Sequence, residues 1–167
     1  VMDDGIGEVI KYACLFDEEL FEEIASVNSL FELDIEQVIY KCVNYKRILV
    51  EKDLYDLSER MALNFGHTLG HAIEQYYNYN LYTHGQAVAI GMVQLTRMSE
   101  LHHISEEGTS KRIEDICLQY HLPIECHLKI QELKKTMALD KKNLNKKLSY
   151  VLLNKIGEYM IYPSDLS

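Results

Sequence analysis

The chain has 167 residues, 47% apolar and 26% charged, which fits one globular domain and excludes a mainly disordered or collagen-like chain. Lys plus Arg number 17 against 26 Asp plus Glu, so the net charge of −9 argues against a protein that grips a phosphate backbone through many cations. The longest apolar run, 87–93, stops at Gln94, well short of the roughly 20 residues of a membrane span, and the opening Val-Met-Asp-Asp has neither the basic start nor the apolar stretch of a signal peptide.

In chain order, apolar Val9, Ile10, Ala13 and Cys14 predict a helix over 7–16. Asp17, Glu18 and Glu19 supply an N-cap and an acidic first turn for a short helix through Ile24. Val38, Ile39, Cys42 and Val43, then Ile48 and Leu49, predict a longer helix over 35–50. The polar stretch 54–60 reads as a loop entering a helix over 61–77, and 78–83 as a loop before a helix over 85–102. Ser105, Glu106 and Glu107 open a further helix that ends before Pro123, and 130–139 reads as another short helix. The period then changes. Strands over 148–153 and 158–162, separated by a turn at 154–157, suit a small β-hairpin. Two prolines and eight glycines leave little punctuation, and no repeat or composition shift divides the chain. The expectation is a mainly α domain with a minor β appendage.

Cys14, Cys42, Cys117 and Cys126 contain no C-x-x-C pair and sit in apolar-periodic segments, where a free thiol behaves as a small hydrophobe. That usage points to a reducing cytoplasm.

The stretch 60–74 carries the richest chemistry. Arg60, Asn64, His67, His71 and Glu74 are spaced four, three, four and three, which on one continuous helix confines them to an arc of roughly 80°. A solvated face is the plain reading of such spacing, but solvated faces favour Lys, Glu and Gln over two histidines and an Asn. Gly66 and Gly70 would each cost about 1 kcal/mol relative to Ala inside a helix, so their presence points to close approach by backbone or ligand. Histidines at i and i+4 can share a metal, although Thr68 stands where a metalloprotease helix has Glu. His84 opens a segment with Gly85, Ala87, Ala89 and Gly91 that can pack closely on a neighbour; it is either a further ligand or a polar loop residue. His102, His103, His121 and His127 lie among ordinary polar neighbours. Gly5-Ile6-Gly7 lacks both a preceding strand and the third glycine of a dinucleotide loop. Glu8 and Lys11, at i and i+3, read as an ion pair, and Asp140-Lys141-Lys142-Asn143 as a solvated turn or an anion holder.

Together the segments 5–11, 60–74, 84–92 and 140–143, the last leading into 151–157, resemble the C-terminal helical domain of the 3-dehydroquinate synthase family in order and interval. The resemblance covers nearly the whole chain. It implies the helical, bundle-like fold shared with iron-containing alcohol dehydrogenases, with 1–167 as a single metal- and substrate-binding domain and the N-terminal NAD-binding domain absent. By resemblance, Glu8, His67 and His84 are ligands of Zn2+ or Co2+, a set that leaves open positions. Lys11 and His71 are the implied catalytic residues: Lys11 contacts a substrate hydroxyl and His71 assists proton transfer. Lys46 and Arg60 would hold a carboxylate, Asn64 and His71 the phosphate end, and Lys141 or Lys142 the phosphate itself.

The implied activity is conversion of 3-deoxy-D-arabino-heptulosonate 7-phosphate to 3-dehydroquinate and phosphate, a phosphorus–oxygen lyase step of the shikimate pathway. It uses metal and NAD, the latter bound mainly by the N-terminal domain, so the domain alone is expected to be inactive. The implied partners are a small sugar phosphate, the N-terminal domain and a second copy in a cytoplasmic homodimer, with no nucleic acid or membrane. Two departures stand out: Gln86 where the family usually has Glu, and Gly7 where Ala is common. Alternatives are a related cyclase such as 2-deoxy-scyllo-inosose synthase and an iron- or zinc-dependent alcohol (glycerol) dehydrogenase. The Arg60, Asn64 and His71 set argues against the dehydrogenase, and Arg60 with Lys46 favours a carboxylated substrate over the carboxylate-free sugar of such a cyclase. A non-enzymatic helical module would bind no metal.

Overall fold

A computed structural model describes residues 2–53, 59–129, 131–132, 135 and 149–163. Helices α1 (Met2–Phe16), α2 (Glu18–Ala25) and α3 (Ile35–Lys52) are followed by a 3-10 segment, Glu59–Asn64. Then come α4 (His67–Tyr76), α5 (His84–Leu101) and α6 (Thr109–Gln119), and an antiparallel pair, β1 (Ser149–Lys155) and β2 (Glu158–Pro163). The protein is mainly α with a small sheet near the C-terminus, as its periodicity predicts.

Local chemistry explains most boundaries. Asp17 Oδ1 accepts from Leu20 N at 2.9 Å and starts α2, while Asp34 Oδ1 accepts from Gln37 N at 3.2 Å and starts α3. Helix α1 runs longer than 7–16 at its N-terminal side. Only one face of α3 meets the core: Val38 and Leu49 are buried, whereas Ile39 and Val43, also counted in the predicted stripe, are exposed. Central α5 packs against α4, α1 and α6, which explains why 87–93 is buried and apolar all round. The hairpin pairs Val151 with Ile161 and Leu153 with Tyr159, and buries Val151, Leu152 and Leu153. Its turn is tied to α1 by Gly157 N donating to Cys14 O at 2.8 Å.

Two further elements differ from expectation. The predicted helix over 61–77 is broken: Glu59–Asn64 is 3-10, and Gly66, at φ +73°, is the N-cap of α4. A Cβ at Gly66 would lie 2.6 Å from Met92 Cγ and 2.8 Å from Val88 O, so the turn depends on glycine for both φ and space. The single arc of five residues therefore does not exist; Arg60 and Asn64 belong to one element, and His67, His71 and Glu74 to another. The helix expected from Ser105 starts four residues later, at Thr109. Its first turn is capped from α5, with Glu100 accepting from Gly108 N at 2.7 Å and Ser110 N at 2.9 Å.

The predicted helix over 130–139 lies mostly outside the described residues, as do 54–58 of the predicted loop. All four cysteines are free thiols. Among the described residues no helix is long and apolar enough to cross a membrane.

Candidate metal centre

Three helices meet where their backbones touch. A Cβ on Gly7 of α1 would sit 3.0 Å from Gly85 O of α5, and one on Gly70 of α4 would sit 3.2 Å from the Ala87 carbonyl. Asp4 Oδ1 accepts from Gly85 N at 2.7 Å and ties the start of α1 to the start of α5. That hydrogen bond to the Gly85 backbone also holds the Asp4 carboxyl below its usual range. One turn beyond Asp4 on the same face, Glu8 reaches His84, the first residue of α5, and His67, the first residue of α4.

Glu8 Oε1 lies 3.4 Å from His67 Nε2 and 4.0 Å from His84 Nε2. One ligand atom from each of the three residues falls within 4.8 Å of the others. The imidazole rings of His67 and His84 are 5.0 Å apart, and that of His71 is 5.7 Å from each. His67 donates through Nδ1 to Phe65 O at 3.1 Å, so Nε2 is the atom that faces Glu8: with a proton it donates to the carboxylate, and in the neutral ring its lone pair is open to a metal. The second oxygen of Glu8 accepts from Lys11 Nζ at 2.7 Å. Glu74 Oε2 lies 3.1 Å from His71 Nδ1 and 3.3 Å from His84 Nδ1.

The electrostatics keep Glu8 ionised. Burial pushes its pKa up, but the hydrogen bond from His67 and the charge and hydrogen bond of Lys11 outweigh it and hold the carboxyl at about 2. The same ion pair does not raise Lys11. Its side chain is 3% exposed, so burial favours the neutral amine, and Lys46 adds like-charge repulsion; its pKa is lowered despite Glu8.

Two imidazole nitrogens and a carboxylate oxygen from separate helices form a donor set for a divalent transition metal with positions left for substrate. Glu8, His67 and His84 fit such an ion. His71, Glu74 and His84 also lie within ligand distance of one another, but there one carboxylate oxygen already stands at hydrogen-bond distance from both histidines. Lys11 lies against Glu8, and His71 borders the site with an exposed ring. Lys46 is exposed on α3, near enough for its charge to act on Lys11. Half-buried Arg60 donates its backbone N–H to Asp53 Oδ2 at 3.3 Å, and Asn64 is exposed at the end of the 3-10 segment. Lys141 and Lys142 lie outside the described residues.

Two features escape a reading of the sequence. Glu74 is part of the stripe, but its contact with His84 crosses between helices and no local spacing signals it. Gln86, which looks like the loss of a charge near the site, closes a capping box on α5: its Oε1 accepts from Thr83 N at 3.0 Å, and Thr83 Oγ1 accepts from Gln86 N at 3.3 Å. Gln and Glu both serve in that box. The Thr-x-x-Gln signature at 83–86 was the available signal.

The family profile described as 3-dehydroquinate synthase C-terminal matches residues 5–143. The chain is 48% identical over 166 residues to the 3-dehydroquinate synthase of Clostridium botulinum, covering 98% of this chain and 47% of the relative. It is also 48% identical over 163 residues to that of Clostridium perfringens, covering 96% and 47%, and 37% identical over 163 residues to that of Streptococcus thermophilus, covering 95% and 46%. It spans about half the length of the curated relatives it matches. Among solved structures, 2-epi-5-epi-valiolone synthase from Streptomyces hygroscopicus, with NAD+ and Zn2+ bound, superposes at a TM-score of 0.86 with 21% identity, covering 99% of this chain and 48% of that one. A 2-deoxy-scyllo-inosose synthase complexed with carbaglucose-6-phosphate, NAD+ and Co2+ superposes at 0.74 with 19% identity, covering 96% and 48%. At those identities the likeness is one of fold.

Proposed function

The chain belongs to the 3-dehydroquinate synthase family, and on that premise we propose that residues 1–167 are the metal- and substrate-binding domain of an enzyme that converts 3-deoxy-D-arabino-heptulosonate 7-phosphate to 3-dehydroquinate and phosphate. The observation that carries the reading is the meeting of Glu8, His67 and His84 from three helices, with one ligand atom from each inside 4.8 Å. These three residues would hold Zn2+ or Co2+, which when bound supplies a Lewis acid to polarise a substrate hydroxyl. The hydride acceptor, NAD, would be held mainly by the half of the relatives' length that this chain does not match.

This chain's own residues bind and orient. Lys11 is pinned by Glu8 and buried, so its ammonium is a fixed donor for a substrate hydroxyl rather than a mobile surface charge. Arg60, with a planar two-pronged donor, and Lys46 hold the substrate carboxylate. Asn64 and His71 bind at the phosphate end, where His71 can pass a proton and Lys141 or Lys142 adds positive charge. The reading carries with it a small sugar-phosphate substrate, an NAD-binding partner domain and a cytoplasmic homodimer.

In the full-length enzyme, phosphate release should require both metal and NAD, whereas residues 1–167 alone should release none. Arg60→Ala should keep the metal and weaken substrate binding by tenfold or more, about 1.4 kcal/mol. Unchanged turnover and substrate affinity in that variant would contradict the carboxylate role and favour a cyclase whose sugar carries no carboxylate.

A further inference from the structure

We infer that Glu74 is the positioning residue of the metal centre, fixing His84 and His71 in one tautomer through a single carboxylate oxygen. The inference rests on the metal-site reading above and adds a residue that the reading does not use. Glu74 is 7% exposed, and its Oε2 stands 3.3 Å from His84 Nδ1 and 3.1 Å from His71 Nδ1. A carboxylate only accepts hydrogen bonds, so each histidine must place its proton on Nδ1. A neutral imidazole has one N–H, and each Nε2 is therefore left as a lone pair. In His84 that is the atom 4.0 Å from Glu8 Oε1.

The two histidines of the donor set are thus prepared by different devices. His67 gives its Nδ1 proton to the Phe65 carbonyl two residues before it, a contact made by the turn at Gly66. Among the described residues no backbone carbonyl accepts from the His84 ring, and a side chain from α4 does the same work from ten residues earlier. Because one oxygen serves both rings, Glu74 also links the metal-binding His84 to His71, the residue matched to proton transfer. Carboxylates that fix a ligand histidine in this way raise metal affinity by 10–100-fold.

The test uses the 167-residue chain, with Co2+ as probe. Long-range proton–nitrogen NMR of the metal-free chain should show His84 and His71 protonated on Nδ1. Glu74→Ala should move both towards Nε2–H, lower Co2+ affinity 10–100-fold at unchanged stoichiometry, and alter the cobalt d–d bands. Glu74→Gln keeps an accepting oxygen, so it should retain the tautomers and recover part of the lost affinity. His84 protonated on Nε2 in the unaltered chain overturns the inference without any variant. So does a folded Glu74→Ala chain with Co2+ affinity within twofold of the parent. Failure of the metal-site reading has a different sign: His67→Ala and His84→Ala would both still take up Co2+.

Discussion

Asp17 shows how much one side chain settles at a helix junction. Its Oδ1 caps α2 at Leu20 N, 2.9 Å away, while Oδ2 accepts from Tyr45 OH at 2.6 Å and faces Lys41 Nζ at 3.6 Å. Burial pushes its pKa up, but the hydrogen bonds from Tyr45 and Leu20 prevail and the carboxyl titrates below its ordinary value. A depressed carboxyl stabilises the native state above its unfolded pKa of about 3.9, and that stability is lost as pH falls through the native value. Asn caps a helix as well as Asp, so Asp17→Asn should lower stability at pH 7 only through the lost charge facing Tyr45 and Lys41, by no more than about 1 kcal/mol. Thermal melts from pH 7 to pH 3 should show parent and variant converging on the acid side. A gap that stays constant across that range would mean that the charge of Asp17 contributes nothing.

At the scale of elements, regular stripes and local caps were legible, while junctions made across the fold were not. Asp17 announces α2 because it caps the helix that follows it, whereas α3 was legible from its apolar stripe and its cap, Asp34, emerges only in the structure. The capping box of Thr83 and Gln86 on α5 stands in the sequence as Thr-x-x-Gln, but the expectation of a helix over 85–102 does not draw on it. The start of α6 is set by Glu100, eight residues before the amide it accepts from, and no local pattern carries that. The close backbone approach that Gly66 and Gly70 imply is present, but the break at Gly66 is not legible, because a glycine inside an apolar-periodic stretch looks the same whether a helix runs through it or is interrupted there. The structure shows the second case, and it matters to the site because the turn at Gly66 aims His67. Gly66→Ala adds a left-handed Cβ, which costs roughly 1–2 kcal/mol, and sets it 2.6 Å from Met92 Cγ. A chain of this size should lose at least about 2 °C of melting temperature, with Co2+ binding weakened alongside. A variant that melts and binds as the parent does would show that the turn is dispensable.

At the scale of the whole molecule, Glu8, His67 and His84 are 76 residues apart from first to last, and only the packing of α4 and α1 on α5 brings them together. Composition and periodicity indicate a helical domain but contain no distance between these residues. Resemblance to a family supplied that grouping, and the fold supplies its physical cause in glycine-to-backbone contacts between helices. The central claim is that this meeting point is a metal centre. Titration of residues 1–167 with Co2+, followed by its visible spectrum, tests it most directly. The account predicts saturation near one ion per chain, about what a three-ligand site binds, with uptake abolished by His67→Ala and by His84→Ala in chains that still unfold cooperatively. Undiminished Co2+ uptake in both folded variants would contradict it.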